Sequence, residues 1–300
     1  MAAQENLYGK KRVYRQAGGP APGGRAAHAA VRPGAGGPPT RAGGGRTARR
    51  RKRRRRGRRI ALTLFAVGLL CLVGGLALRS LLPRHYVVAL DAGHGGSDPG
   101  ANGIVAETAL TETTVRYLEA LLAADENYTP VLCRQYGEGK DVNARAAAAR
   151  RRSADLLLSV HGNSEQSGQA QGFECYPLPP GRGRHEDSLR FAGLLVEEMS
   201  AAGAQLRGEN GIKYAYYFSD GSGGYEKVIR ESSDDAVYTE KSFGVLEGAG
   251  CPAVLAEQCF VTNAADAQAF GSDEGCRLAA QSYYRAICRY FGTQPAALEG

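Results

Sequence analysis

The sequence predicts an α/β fold: a single domain with a mixed, mainly parallel central sheet flanked by helices on both faces, preceded by a disordered basic tail and one transmembrane helix. Two observations predict the domain. Short apolar runs such as YVVALD (residues 86–91) and DLLLSV (155–160) read as strands buried on both faces. They alternate with stretches of helical spacing, the order of a doubly covered, mostly parallel sheet. A third observation predicts the tail and the membrane helix: an arginine-rich stretch runs directly into 19 uncharged residues, 60–78.

Residues 1–45 are mostly Gly, Ala, Pro and Arg, with too few large aliphatic side chains to offset chain entropy by burial. The disordered tail is therefore drawn over residues 1–59. Its last part, RTARRRKRRRRGRR (46–59), holds 11 basic residues. The uncharged run that follows, IALTLFAVGLLCLVGGLAL, spans about 28 Å as a helix, near the hydrocarbon thickness of a bilayer. Residues 60–82 are assigned to a transmembrane helix. A secretory signal would share the order basic then apolar, but this run starts at residue 60, is long for such a signal, and lacks a small-x-small cleavage site before Arg79. The positive flank predicts a cytoplasmic N-terminus and an exported remainder in a single-pass cell-membrane protein.

Charge divides the chain in the same place. Residues 1–59 carry 18 basic residues and one acid, whereas 84–300 carry 19 basic and 29 acidic residues. The formal net charge of +8 thus belongs to the tail, and the domain is not read as a nucleic-acid binder. Beyond Cys71 in the apolar run, six cysteines remain, enough for three disulfides or for six buried thiols. No CxxC pair suggests a cysteine zinc site.

Within the domain, placed at residues 84–292 with a C-terminal tail at 293–300, the first strand (86–91) leads into the turn AGHGGSDPG. A helix over 108–124 is predicted from Leu110, Thr114, Leu118, Leu121 and Leu122. A strand (129–134), a helix (141–153) and the strand 155–160, ending in HGN, follow. Then come a strand (172–176), a helix (188–202) and a strand (212–218). Residues 219–241, rich in Ser, Gly, Asp and Tyr, read as an exposed loop able to gate a cleft. PAVLAE (252–257) is a buried strand, and 275–291 a closing helix.

Three chemically capable residues share one topological place: His94 beyond the first strand, His161 at the end of the third, and Glu257 at the end of the last. Open α/β sheets bind ligands beyond the carboxyl ends of their strands. Imidazole and carboxylate are usual donors to catalytic zinc, which keeps three protein ligands and one open position. Two strand-end histidines flanked by glycine fit two of those ligands. Glu107, where the first helix of the domain begins, is the best-placed third, with Glu112 as the fallback. Glu257 closes an apolar strand, where a carboxylate without a partner is costly.

DAGHGGSDPGA from Asp91, the Glu107 that follows, ADLLLSVHGN from Ala154, GFECY from Gly172 and PAVLAEQCFVTN from Pro252 resemble, in order and spacing, the zinc-dependent N-acetylmuramoyl-L-alanine amidases of the amidase-3 family. The resemblance covers residues 86–291. It implies that His94, Glu107 and His161 bind Zn²⁺, that Glu257 is the catalytic acid/base, and that the substrate is peptidoglycan, cut at the amide between N-acetylmuramic acid and L-Ala. A zinc peptidase of the stem peptide and a non-catalytic wall-binding module are the competing readings. The chain departs from the family at Glu247, where such amidases often have arginine, and in the length of 219–241. Neither departure touches the metal set.

Overall fold

The computed structural model describes residues 44–81 and 85–296. Helix α1 runs unbroken over Gly44–Leu81. Residues 44–59, expected to be disordered, are therefore helical: arginine is a good helix former, and a helix already nucleated in the apolar run extends at low cost. The window Arg56–Gly74 in α1 is the one segment among the described residues long and apolar enough to cross a membrane. Its Leu62, Phe65 and Leu70 are exposed. The expectations for residues 1–43, 82–84 and 297–300 lie outside the described residues.

The domain, taken by itself, contains strands β1 (Tyr86–Ala92), β2 (Tyr128–Leu132), β3 (Leu156–Asn163), β4 (Glu174–Pro177), β5 (Lys213–Ser219), β6 (Tyr225–Glu231) and β7 (Ala253–Phe260). Its helices are α2 (Glu107–Ala124), α3 (Val142–Arg151), α4 (His185–Ala201), α5 (Gly244–Ala249), α6 (Ala264–Phe270) and α7 (Asp273–Phe291). The main sheet has the order β2-β1-β3-β7-β4, parallel except for β4, which runs antiparallel at the edge.

The period of two along a strand sorts its side chains to opposite faces. Val88, Leu90, Leu156, Leu158, Val160, Val254 and Ala256 share one core with Leu118 of α2, Phe191 of α4 and Tyr283 of α7. Ala89, Leu157, Ala253 and Leu255 share the other with Ala149 of α3 and Val245 and Leu246 of α5. Both faces are thus covered, which is why these strands read as continuous apolar runs. Polar caps set several helix starts: Asp141 accepts from the Ala144 N–H, Asn263 from Ala265 and Asp266, and Ser272 from Gly275.

The structure corrects the sequence reading in three places. Strand β5 lies outside the main sheet and pairs with β6 in an antiparallel hairpin, so residues 219–241 are not simply a loop. Only 220–224 (DGSGG) form the turn, where Asp220 Oδ1 accepts from the Ser222 and Gly224 N–H groups. Strand β3 continues through HGN to Asn163, with an irregularity in pairing between His161 and Asn163. Finally, all six cysteines of the domain are buried free thiols, so the disulfide alternative gives way.

Candidate metal centre and cleft

The centre is assembled where β1, β3 and β7 end. Beyond β1 the chain turns sharply, with the Gly93 N–H still donating to Val160 O of β3 (2.9 Å). His94 follows in the left-handed backbone region, at φ 59°. A non-glycine residue pays roughly 1–2 kcal/mol to sit there, and such strain persists where the surroundings hold it. What holds it is a set of ties: the Arg134 guanidinium donates to Ala92 O and Gly93 O, and the Thr111 hydroxyl to Gly93 O.

Glu107 opens α2 behind Ala106, which offers no side-chain cap. Its buried carboxylate faces back into the loop and accepts from the Ala101 N–H (2.7 Å) and the Gly162 N–H (3.1 Å). Two histidine nitrogens reach the same oxygen. His94 Nε2 lies 3.1 Å and His161 Nδ1 3.0 Å from Glu107 Oε1. Ligand atoms of His94, Glu107 and His161 all lie within 4.8 Å of one another, a group that can hold a metal ion. Two glycines make the room. A Cβ at Gly93 would meet the His161 ring at 2.5 Å, and one at Gly100, where φ is 64°, would meet Glu107 Oε2 at 2.6 Å.

The electrostatics follow from this packing. Hydrogen bonding to Glu107 pushes His94 up to about 9, against the effect of burial and with help from Asp98. For Glu107, burial alone would raise the carboxyl, but hydrogen bonds from His161 and His94 outweigh it and hold it far below the usual range. The carboxylate is therefore ionised, the state a metal ligand needs.

Glu257 on β7 is the register partner of His161 and lines the same cleft, a space of about 410 Å³. Its Oε2 is buried without a hydrogen-bond partner. Burial pushes this carboxyl up to about 7; His161 and Lys227 oppose the shift, while the Glu107 and Glu174 carboxylates add to it. A carboxyl poised near neutrality can both accept and donate a proton.

All four residues singled out from the sequence therefore converge on one cleft. Glu112, the fallback, does not: its carboxylate is taken by Arg134 Nη1 (2.7 Å) and the Gly137 N–H (2.7 Å). Sequence reasoning missed Asp98, whose Oδ2 lies 2.9 Å from His94 Nδ1 and fixes that ring. The signal was an acid four residues after the histidine, in the same turn. It also missed the buried pair Asp91–Arg145 (2.6 Å), completed by the Ser159 hydroxyl, and Tyr217, Lys227 and Phe243, which line the same cleft. Glu247, the departure from the family pattern, pairs with Arg182 (2.9 Å).

Comparison with known proteins bears on the family and the fold. A family model described as N-acetylmuramoyl-L-alanine amidase matches residues 88–289. A probable N-acetylmuramoyl-L-alanine amidase of Haemophilus influenzae, AmiB, is 27% identical over 227 residues, covering 69% of this chain and 51% of its own length. The uncharacterised protein YqiI of Bacillus subtilis is 29% identical over 206 residues, covering 68% of this chain and 84% of its own. This chain thus spans about half the length of AmiB and, at 54%, of the AmiC amidase of Neisseria meningitidis. The catalytic domain of CwlV, an N-acetylmuramoyl-L-alanine amidase from Paenibacillus polymyxa, superposes with a TM-score of 0.55 at 24% identity, over 70% of this chain and 99% of that domain. At that identity the likeness speaks for the fold.

Proposed function

This chain belongs to the N-acetylmuramoyl-L-alanine amidase family, and on that premise we propose that it hydrolyses the amide between N-acetylmuramic acid and the L-Ala of the peptidoglycan stem peptide during cell-wall remodelling. The observation that carries the reading is the meeting of His94, Glu107 and His161 within 4.8 Å in a cleft that Glu257 also lines.

The donor set fits zinc: two imidazole nitrogens and one ionised carboxylate match the three-ligand pattern of catalytic sites, and Gly93 and Gly100 leave the necessary room. Zinc held there supplies a Lewis acid that acidifies water and polarises a carbonyl oxygen. Glu257, through its unpartnered Oε2, takes the proton of the attacking water. The same carboxyl then returns it to the amide nitrogen as the carbon–nitrogen bond breaks, leaving a free amine on L-Ala. Asp98 keeps the His94 ring turned toward Glu107.

The location forms part of the proposal. The exposed apolar window of α1, with its arginine-rich flank, supports a membrane anchor whose N-terminal side is cytoplasmic. Residues 84–292 then act outside the membrane, on the wall.

The test uses the full chain in detergent, supplied with zinc and incubated with purified peptidoglycan. Mass spectrometry is expected to find intact stem peptides beginning at L-Ala. Fragments cut inside the stem would favour a peptidase, and binding without release a wall-binding module. Glu257→Gln is expected to keep its zinc while losing about 10²–10⁴-fold in turnover. His161→Ala is expected to lose zinc and activity together, and full activity in either variant would refute its assigned role.

A further inference from the structure

The charged side chains lining the cleft are not evenly spent. The Glu107 and Asp98 carboxylates are engaged with the two histidines. Arg145 is engaged with buried Asp91. Lys227 is different. It is exposed on β6, lines the cleft, and forms no salt bridge among the described residues, although its charge acts on the Glu257 carboxyl. Its ammonium lies 5.9 Å from the centre of the Phe243 ring. Its register partner across the hairpin is Tyr217, whose ring meets that of Phe243 edge-on at 6.0 Å. One cation outside any salt bridge thus stands beside an aromatic corner, on a hairpin that supplies none of the metal-binding group.

Resting on the reading of this site as a muramoyl amidase, the substrate's two arms differ in charge. The sugar arm offers neutral hydroxyl and acetamido groups near the scissile amide, whereas the peptide arm offers carboxylates. We propose that Lys227 binds a free carboxylate of the stem peptide at its second or third residue, so that the β5–β6 hairpin receives the peptide arm and selects against amidated stems. An exposed ammonium that stands beside an aromatic ring, and that no salt bridge ties to the protein, gains from an anion arriving with the substrate. Tyr217 and Phe243 would offer the flat apolar surface against which the intervening backbone lies.

The experiment uses the zinc-loaded full chain and three synthetic N-acetylmuramoyl tripeptides: one with free carboxylates at both positions, one amidated at the second residue, and one amidated at the third. Wild type is expected to favour free over amidated substrate at one position by about fivefold in kcat/KM, expressed mainly in KM, the scale of an exposed ion pair. Lys227→Gln should erase that ratio, Lys227→Arg should keep it, and Lys227→Glu should invert it. Zinc content and melting temperature report whether each variant is folded. Equal turnover of all three substrates by wild type would overturn the proposal. So would a Lys227→Gln enzyme that loses kcat alike on every substrate, since that would tie the ammonium to Glu257 and not to the peptide. Failure of the amidase reading looks different: none of the three would be cut at the lactyl amide.

Discussion

On one side of the cleft, His94, Glu107 and His161 are bonded to one another and to the backbone of Ala101 and Gly162. On the other, the side chains of Tyr217, Lys227 and Phe243 meet ring to ring or ammonium to ring, with Tyr217 and Lys227 paired through the hairpin backbone. The first side grows from β1, α2 and β3, whose strands lie inside the main sheet. The second grows from a two-stranded hairpin outside that sheet and from the residue preceding α5. This difference teaches a division of labour. Bond-making chemistry tolerates displacements of a fraction of an ångström, so its groups are placed where packing and hydrogen bonds fix them from several directions. Substrate selection tolerates more, and the hairpin proposed for it can vary without disturbing His94, Glu107 and His161.

The largest expected effect comes from breaking the rigid side without touching a ligand. Gly100→Ala places a Cβ at φ 64° and 2.6 Å from Glu107 Oε2. The backbone must shift or the carboxylate must leave, and either moves the ligand off its position. We expect zinc content to fall, activity to drop by more than about a hundredfold, and stability to fall by about 1–3 kcal/mol. Metal analysis and thermal melting check this. A Gly100→Ala protein with normal zinc and activity would show that the rigid side is less constrained than its geometry implies.

The same division governs what could be read from the sequence. Both strand-end histidines and Glu257 were legible because parallel strands read as apolar runs and a polar residue at their ends stands out. Glu107 was legible from its place at a helix start. The hairpin was not. In YEKVIRE only Val228 and Ile229 interrupt exposed or charged neighbours, so composition pointed to a loop although backbone pairing runs from Lys213–Glu231 to Ser219–Tyr225. Helices α5 and α6, of 6 and 7 residues, are too short to show a 3.6-residue period. Asp98, Lys227 and Tyr217 escaped for a further reason: their importance lies in what they face, and facing is decided by tertiary structure. The reading of 219–241 as an exposed loop yields to the hairpin, two of whose residues, Tyr217 and Lys227, line the cleft.

A smaller effect should come from the adaptable side. Tyr217→Ala removes one ring of the aromatic pair but no hydrogen bond to the metal-binding group. We expect KM for muramoyl peptides to rise about five- to tenfold, with kcat and zinc content near wild type. Steady-state kinetics would separate the two. A fall in kcat of the same size as the rise in KM would mean that the hairpin side takes part in the chemistry and that the division drawn above is too sharp.

The smallest effect concerns how the hairpin is kept in shape. Asp220 is held below the ordinary carboxylate range by the Ser222 N–H, with the Ser222 hydroxyl and the Gly224 N–H adding to it. A carboxyl depressed in the folded state contributes stability that is present above its unfolded value of about 4 and is lost as pH falls through the lower folded value. Asp220 lies in the hairpin turn, so the loss should be local, loosening β6 without unfolding the domain. Hydrogen exchange of the β6 amides is therefore expected to be faster in Asp220→Ala than in wild type at neutral pH, and the gap should close on acidification as the wild-type carboxyl protonates. Over the same range the two proteins should exchange alike in β1, α2 and β3. A gap spreading into those elements would show that the turn supports the metal side as well, and that the two sides of the cleft fold as one unit.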